Sequence, residues 1–170
     1  KKYSVIAGEK KTNIDDGFMH KLIVLPEGAE KVVINTGGGV ICDLFLFDGG
    51  DSLPEYVQDW REPCGQADIM VFSAHADDEL LMFGGTLPYY AGELDLRVQV
   101  VYMTTHWKEQ PRPHEALDGL WAAGVENYPV FGIIPDIPYQ PIFTLAEAAE
   151  LYDFEEVSES ERRHFGSGFD

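Results

Sequence analysis

Apolar and polar positions divide this chain into two stretches of different rhythm. Up to about residue 60, apolar residues come in short runs separated by turn formers. Lys21-Leu22-Ile23-Val24-Leu25 and Lys31-Val32-Val33-Ile34 predict strands divided by the turn Pro26-Glu27-Gly28. Gly37-Gly38-Gly39 interrupts the pattern. Val40 to Phe47 predicts a further strand, closed by Asp48-Gly49-Gly50. No 3.6-residue periodicity is sustained here. Residues 1–60 are therefore expected to form a small β-rich module, of the kind a fragment of a β-sandwich would give. Asp15-Asp16-Gly17 reads as a turn, because the further oxygen ligands of a calcium loop are missing at their fixed offsets.

Near residue 65 the rhythm changes to strand, helix, strand, helix, strand. Ala67 to Ser73 holds Ile69-Met70-Val71-Phe72, a run suited to a strand buried on both faces. Glu79 to Ala91 predicts a helix, weakened by Gly84-Gly85 and disturbed by Pro88. Leu96 to Met103 alternates and is β-branched, hence a strand. Pro113 to Ala123 predicts a helix stopped by Gly124. Pro129-Val130-Phe131 opens a third strand. A Pro- and aromatic-rich loop follows over Asp136 to Phe143. Thr144-Leu145-Ala146-Glu147 then matches a capping box for a helix to about Asp153. This alternation predicts an α/β domain over 61–170, with a Rossmann-like parallel sheet and right-handed crossovers. Only three strands are legible, where a doubly wound sheet usually has about five or six. The domain is expected to be the front part of a longer one.

Composition narrows the partners. The 170 residues are 45% hydrophobic and 25% charged, ordinary for a globular protein, with 12 basic against 30 acidic side chains and a net charge of −18. Such a surface is poorly suited to nucleic acid, whose binding rests on Lys and Arg neutralising phosphates. Anionic membranes are disfavoured by the same argument, and no run of about 18 apolar residues predicts a membrane span. Cys42 and Cys64 fit neither a zinc ribbon nor a disulfide framework. They read as two buried thiols or as one disulfide. The start at Lys1-Lys2, with no Met, is expected to follow a trimmed segment, so a missing signal peptide carries no weight.

The chemistry concentrates in Ser73-Ala74-His75-Ala76-Asp77-Asp78-Glu79. Ligands of open parallel sheets bind beyond the carboxyl ends of the strands, and this run follows such an end. His nitrogen and Asp oxygen both bind Zn²⁺ near 2 Å. A neighbouring carboxylate outside the coordination sphere serves as general base. The competing reading is a solvated acidic helix start that meets the helix dipole.

That run, with Gly84-Gly85-Thr86 after it, resembles the signature of the PIG-L/LmbE deacetylases, zinc-dependent hydrolases that remove N-acetyl groups, typically from glucosamine-containing glycoconjugates. The likeness continues through Val98 to Thr104, then Arg112, Glu115 and Ala116, then Ala123-Gly124-Val125, and covers roughly residues 67 to 157. The family has Pro where this chain has Ala76. By position, the resemblance implies His75 and Asp78 as zinc ligands and Asp77 as general base for the attacking water and later as proton donor to the leaving amine. It implies Arg112 as a substrate contact beside the site. The family completes its zinc site with a later His, in a His-x-x-His run that this sequence does not contain.

Other candidates are weaker. His106 follows the second strand and is a candidate substrate contact. His164, in a polar helix end, is a poor candidate for the third ligand. His114, between Arg112 and Glu115, is expected to face away, and His20 in the β-rich half reads as structural. Trp107 and the Tyr139 region would stack on a sugar ring or pack. The expected activity is zinc-dependent de-N-acetylation of an amino-sugar substrate, outside the cell or at its surface, with a cytoplasmic place not excluded. The alternative is a non-catalytic carbohydrate-binding or surface protein that keeps the deacetylase fold. A phosphate-receiver domain built on Asp77-Asp78 fits less well, since no Lys follows Lys108.

Overall fold

A computed structural model describes residues 2–48, 52–104 and 111–134 of the chain. The predicted features at His106, Trp107, Tyr139, the Asp136–Phe143 loop, the Thr144 capping box and His164 lie outside the described residues. The chain divides into two compact units, one up to Asp59 and one from Trp60.

The first unit holds three strands, β1 (Tyr3–Ala7), β2 (Lys10–Ile14) and β3 (Val32–Asn35), in an antiparallel sheet of order β2-β1-β3. Gly8, at φ 58°, and Glu9 link β1 to β2, and Ala7 pairs with Lys10 across this two-residue connection. Positive φ at a two-residue hairpin favours Gly. Val5, Ala7, Ile14 and Phe18 form the small core. Asp16 Oδ1 accepts the Phe18 N–H at 3.1 Å, closing the turn expected at Asp15-Asp16-Gly17. The turn at Pro26-Glu27-Gly28 is also present, with Ala29 N–H donating to Pro26 O and Gly28 at φ 73°.

Two strand expectations are corrected here. Residues 21–25 and 40–47 are irregular, and only the run at 31–34 became a strand. Val40, Leu44, Phe45 and Leu46 are exposed, with no partner strand among the described residues. An apolar run becomes a strand only where a neighbour supplies hydrogen bonds and a face to bury.

The second unit is a mixed α/β arrangement around a parallel sheet of order β4-β5-β6, with β4 at Ile69–Ser73, β5 at Val98–Thr104 and β6 at Val130–Ile134. Helix α1 (Asp78–Phe83) and a π-helical turn (Pro88–Glu93) connect β4 to β5, and α2 (Pro111–Ala122) lies between β5 and β6. The single helix expected over Glu79 to Ala91 is thus broken in two. The break falls at Gly84-Gly85, where the chain turns; helix resumes at Thr86-Leu87 and widens to a π-helical turn from Pro88, which has no N–H to continue an α-helical ladder.

Two successive right-handed crossovers in the same direction put their connecting helices on one face of the sheet. Burial follows that geometry. Val71, Ser73, Val98, Val100, Tyr102 and Phe131 point to one face and are buried, as are Leu87, Ala91, Ala116, Leu117 and Leu120 of the connections. Met70, Phe72 and Met103 alternate to the other face and are exposed. Gln99 shares that second face yet is buried. Its amide donates to Val100 O and Tyr128 O and accepts the Cys64 N–H, which fastens the segment before β4 onto β5. Both cysteines are free thiols, Cys42 exposed and Cys64 half-buried. Trp60 packs edge-on against Trp121 and Tyr128, with ring centroids 5.2 and 5.6 Å apart.

The end of α2 is a Schellman closure. Gly124 N–H donates to Trp121 O, Val125 N–H donates to Leu120 O, and Gly124 sits at φ 82°. Val125 and Leu120 are both buried, the apolar contact that accompanies such an ending.

Candidate metal centre

The segment Ala74–Asp77 leaves the carboxyl end of β4 and enters α1. The neighbouring strand pins its start: Thr104, the last residue of β5, donates its N–H and its hydroxyl to Ala74 O. The turn then closes on itself. Asp77 N–H donates to His75 O at 3.1 Å, and His75 N–H donates to Asp78 Oδ2 at 3.0 Å. Asp77 O accepts the N–H groups of Leu80 and Leu81, so the first turn of α1 hangs on Asp77.

These bonds bring His75 and Asp78 together. His75 Nδ1 lies 3.4 Å from Asp78 Oδ2, and both side chains are partly open to solvent. Two ligands that share one tetrahedral ion, each about 2.0–2.1 Å from it, lie about 3.3 Å apart. An imidazole nitrogen and a carboxylate oxygen at this separation suit an ion of borderline hardness. Among the described residues no group of three His, Cys, Asp or Glu side chains gathers to hold a metal. Asp77, between them in sequence, is half-exposed, and its carboxylate turns to Arg112 of α2, with Oδ2 at 3.4 Å from Nη2. His75, Asp77, Asp78 and Arg112 thus form one cluster, while His106 lies outside the described residues.

Sequence reasoning gave Glu79 no role. It is fully buried, the only carboxylate among the described residues that is. Its Oε2 accepts the Asp77 N–H at 3.0 Å. Burial pushes its carboxyl above the usual carboxylate range, a shift opposed by the hydrogen bonds from its surroundings. The Tyr102 hydroxyl, on the buried face of β5, is held protonated by burial and by the adjacent Glu79 charge. The signal for Tyr102 was present in the alternation of Val98, Val100 and Tyr102, which shares one face and points at the connection above it. For Glu79 the spacing was misleading, because a third acid after two others reads as one more solvated charge.

Comparison with known protein-family models, curated proteins and solved structures gives no match for this chain.

Proposed function

We propose that the second unit carries part of the active site of a zinc-dependent de-N-acetylase acting on an amino-sugar substrate, in the manner of the PIG-L/LmbE enzymes that its motif run resembles. The observation that carries this reading is the 3.4 Å approach of His75 Nδ1 to Asp78 Oδ2 beside the Asp77 carboxylate, beyond the carboxyl end of a parallel strand.

In this reading His75 and Asp78 hold the ion, and a third ligand comes from outside the described residues. Zinc, when bound, supplies a Lewis acid for the acetamide oxygen and for water. Asp77 takes a proton from the attacking water as the water oxygen bonds to the acetyl carbon. It returns that proton to the amine as the C–N bond breaks, leaving acetate and the free amino sugar. Arg112 orients the Asp77 carboxylate and contacts a substrate oxygen beside it. The acidic balance of the chain, −18, fits a neutral glycan better than a nucleic acid. No helix among the described residues is long and apolar enough to cross a membrane. An extracellular or cell-surface location is part of the same proposal.

The second reading is a carbohydrate-binding or surface protein that retains the fold without the chemistry. It needs only the two side chains that meet here, His75 and Asp78, and no completed metal site. Metal analysis of the full-length protein separates the two. Stoichiometric zinc that disappears in His75→Ala and in Asp78→Ala, with release of acetate from N-acetylglucosaminides, is the expected result. A full-length protein that binds no zinc refutes the enzyme reading.

A further inference from the structure

We infer that Glu79 is the positioning residue of this site: its buried carboxylate holds the Asp77 backbone, and through it sets the approach of His75 to Asp78. The inference rests on the metal-site reading for its consequence, though its geometry does not require an ion.

The segment from His75 to Asp78 is held by few bonds. Ala74 is tied to β5 through Thr104, and the turn closes through the short-range bonds between His75, Asp77 and Asp78. Those inner bonds fix the shape of the turn and not its place on the sheet. Thr104 places the start of the turn, at Ala74, and Glu79 places its far end, at Asp77. Its side chain is fully buried at the base of α1, with Oε1 as sequestered as the rest, and Oε2 reaches back to the Asp77 N–H. Tyr102 stands against it from β5, in register with Ser73, the last residue of β4. Glu79 therefore stands between the turn and Tyr102 of β5. A buried carboxylate is costly unless it is used, and a backbone N–H in that position has no helical partner. The Asp77 N–H is shared between His75 O at 3.1 Å and Glu79 Oε2 at 3.0 Å, and the second of these bonds is the one that reaches out of the turn.

Outer partners that orient metal ligands change affinity by about 10–100-fold when removed. Glu79→Met fills the same buried volume and offers no oxygen. Glu79→Gln keeps the shape and an acceptor oxygen. Three measurements on the full-length protein decide the matter: hydrogen exchange at the Asp77 amide without added metal, exchange at core amides of β5 as a reference, and zinc affinity by competition with a chromophoric chelator. Glu79→Met is expected to speed exchange at Asp77 by about tenfold or more with core protection unchanged, and to weaken zinc binding by about tenfold or more. Glu79→Gln is expected to restore most of both.

Unchanged exchange at Asp77 in Glu79→Met overturns the positioning role, whatever the metal result. Equal loss of protection at Asp77 and in the core, in both variants, means general loosening and overturns it too. A wild-type protein that binds no zinc, with Asp77 exchange still dependent on Glu79, defeats the metal-site reading and leaves the positioning role standing.

Discussion

Thr104 donates two hydrogen bonds to one acceptor, the carbonyl of Ala74: one from its N–H at 3.1 Å and one from its hydroxyl at 2.5 Å. The last residue of β5 is thereby joined to the first residue beyond β4, one position before His75. Removing the hydroxyl alone tests this tie. In Thr104→Val the N–H bond survives, so the stability loss is expected near the low end of the range for one hydrogen bond, about 0.5 kcal/mol. Thr104→Ser should recover it. The larger effect is expected on the turn, as a severalfold loss of zinc affinity in Thr104→Val. Unaltered zinc affinity in that variant would show that the tie does not reach His75.

The assignment of roles within the acidic run has its own test. Asp77 is the one member of the cluster that faces Arg112 while His75 and Asp78 face each other. Asp77→Ala should therefore retain zinc while hydrolysis falls by roughly 10²–10⁴-fold, the contribution of a general base. Loss of zinc together with activity would make Asp77 a ligand and reverse the assignment.

Arg112 offers a sharper distinction between support and chemistry. Its pair with Asp77 is long, at 3.4 Å, and partly exposed, so its share of folding stability is small, about 0.5 kcal/mol or less. A substrate oxygen held by the guanidinium is worth more, about 1.5–3 kcal/mol for a charge-assisted hydrogen bond. Arg112→Ala is expected to leave the unfolding midpoint nearly unchanged and to lower kcat/KM by about tenfold or more. Arg112→Lys should recover little, since a point charge does not reproduce the planar fork. Full activity in Arg112→Ala would remove this residue from the site.

The positions of the parallel strands and of the end of α2 were legible because local and global signals agreed, whereas the expected burial of β4 on both faces was not met, since Met70 and Phe72 are exposed. The Ile69–Phe72 run, the alternation after Leu96 and the Gly124 stop fall where β4, β5 and the end of α2 are found. The first unit was read less well for a physical reason. Lys10-Lys11-Thr12-Asn13-Ile14 is mostly polar and carries no apolar run, yet it is strand β2 because β1 lies beside it across a two-residue turn. Val40 to Phe47 is strongly apolar and reads as a strand, yet no strand pairs with it among the described residues. Pairing partners decide strands, and partners are not written in the run itself. The cluster of His75, Asp77 and Asp78 was visible as residue types at a strand end. The side chains that set its geometry, Glu79 from below and Thr104 from the next strand, depend on burial and register.

Asp68 and Arg97 close the opposite end of β4 and β5, and their pair predicts how stability answers to acid. Arg97 donates to Asp68 from its backbone N–H at 3.0 Å, from Nε at 3.1 Å and from Nη2 at 3.0 Å. The side-chain bonds come first in holding the Asp68 carboxyl below its ordinary value, with the backbone bond next. A carboxyl depressed in the folded state binds its proton more weakly there than in the unfolded chain. Its contribution is therefore fully present above the unfolded value, about 3.9, and is lost as pH falls through the lower folded value. Both side chains are exposed enough for salt to screen the pair. Asp68→Asn is expected to be slightly less stable than wild type at neutral pH, with the difference shrinking below about pH 4 and in molar salt. Chemical denaturation across pH 2–7, at low and high salt, measures it. A difference that holds constant through that range would assign the effect to the backbone N–H bond, which the Asn side chain would then have failed to replace.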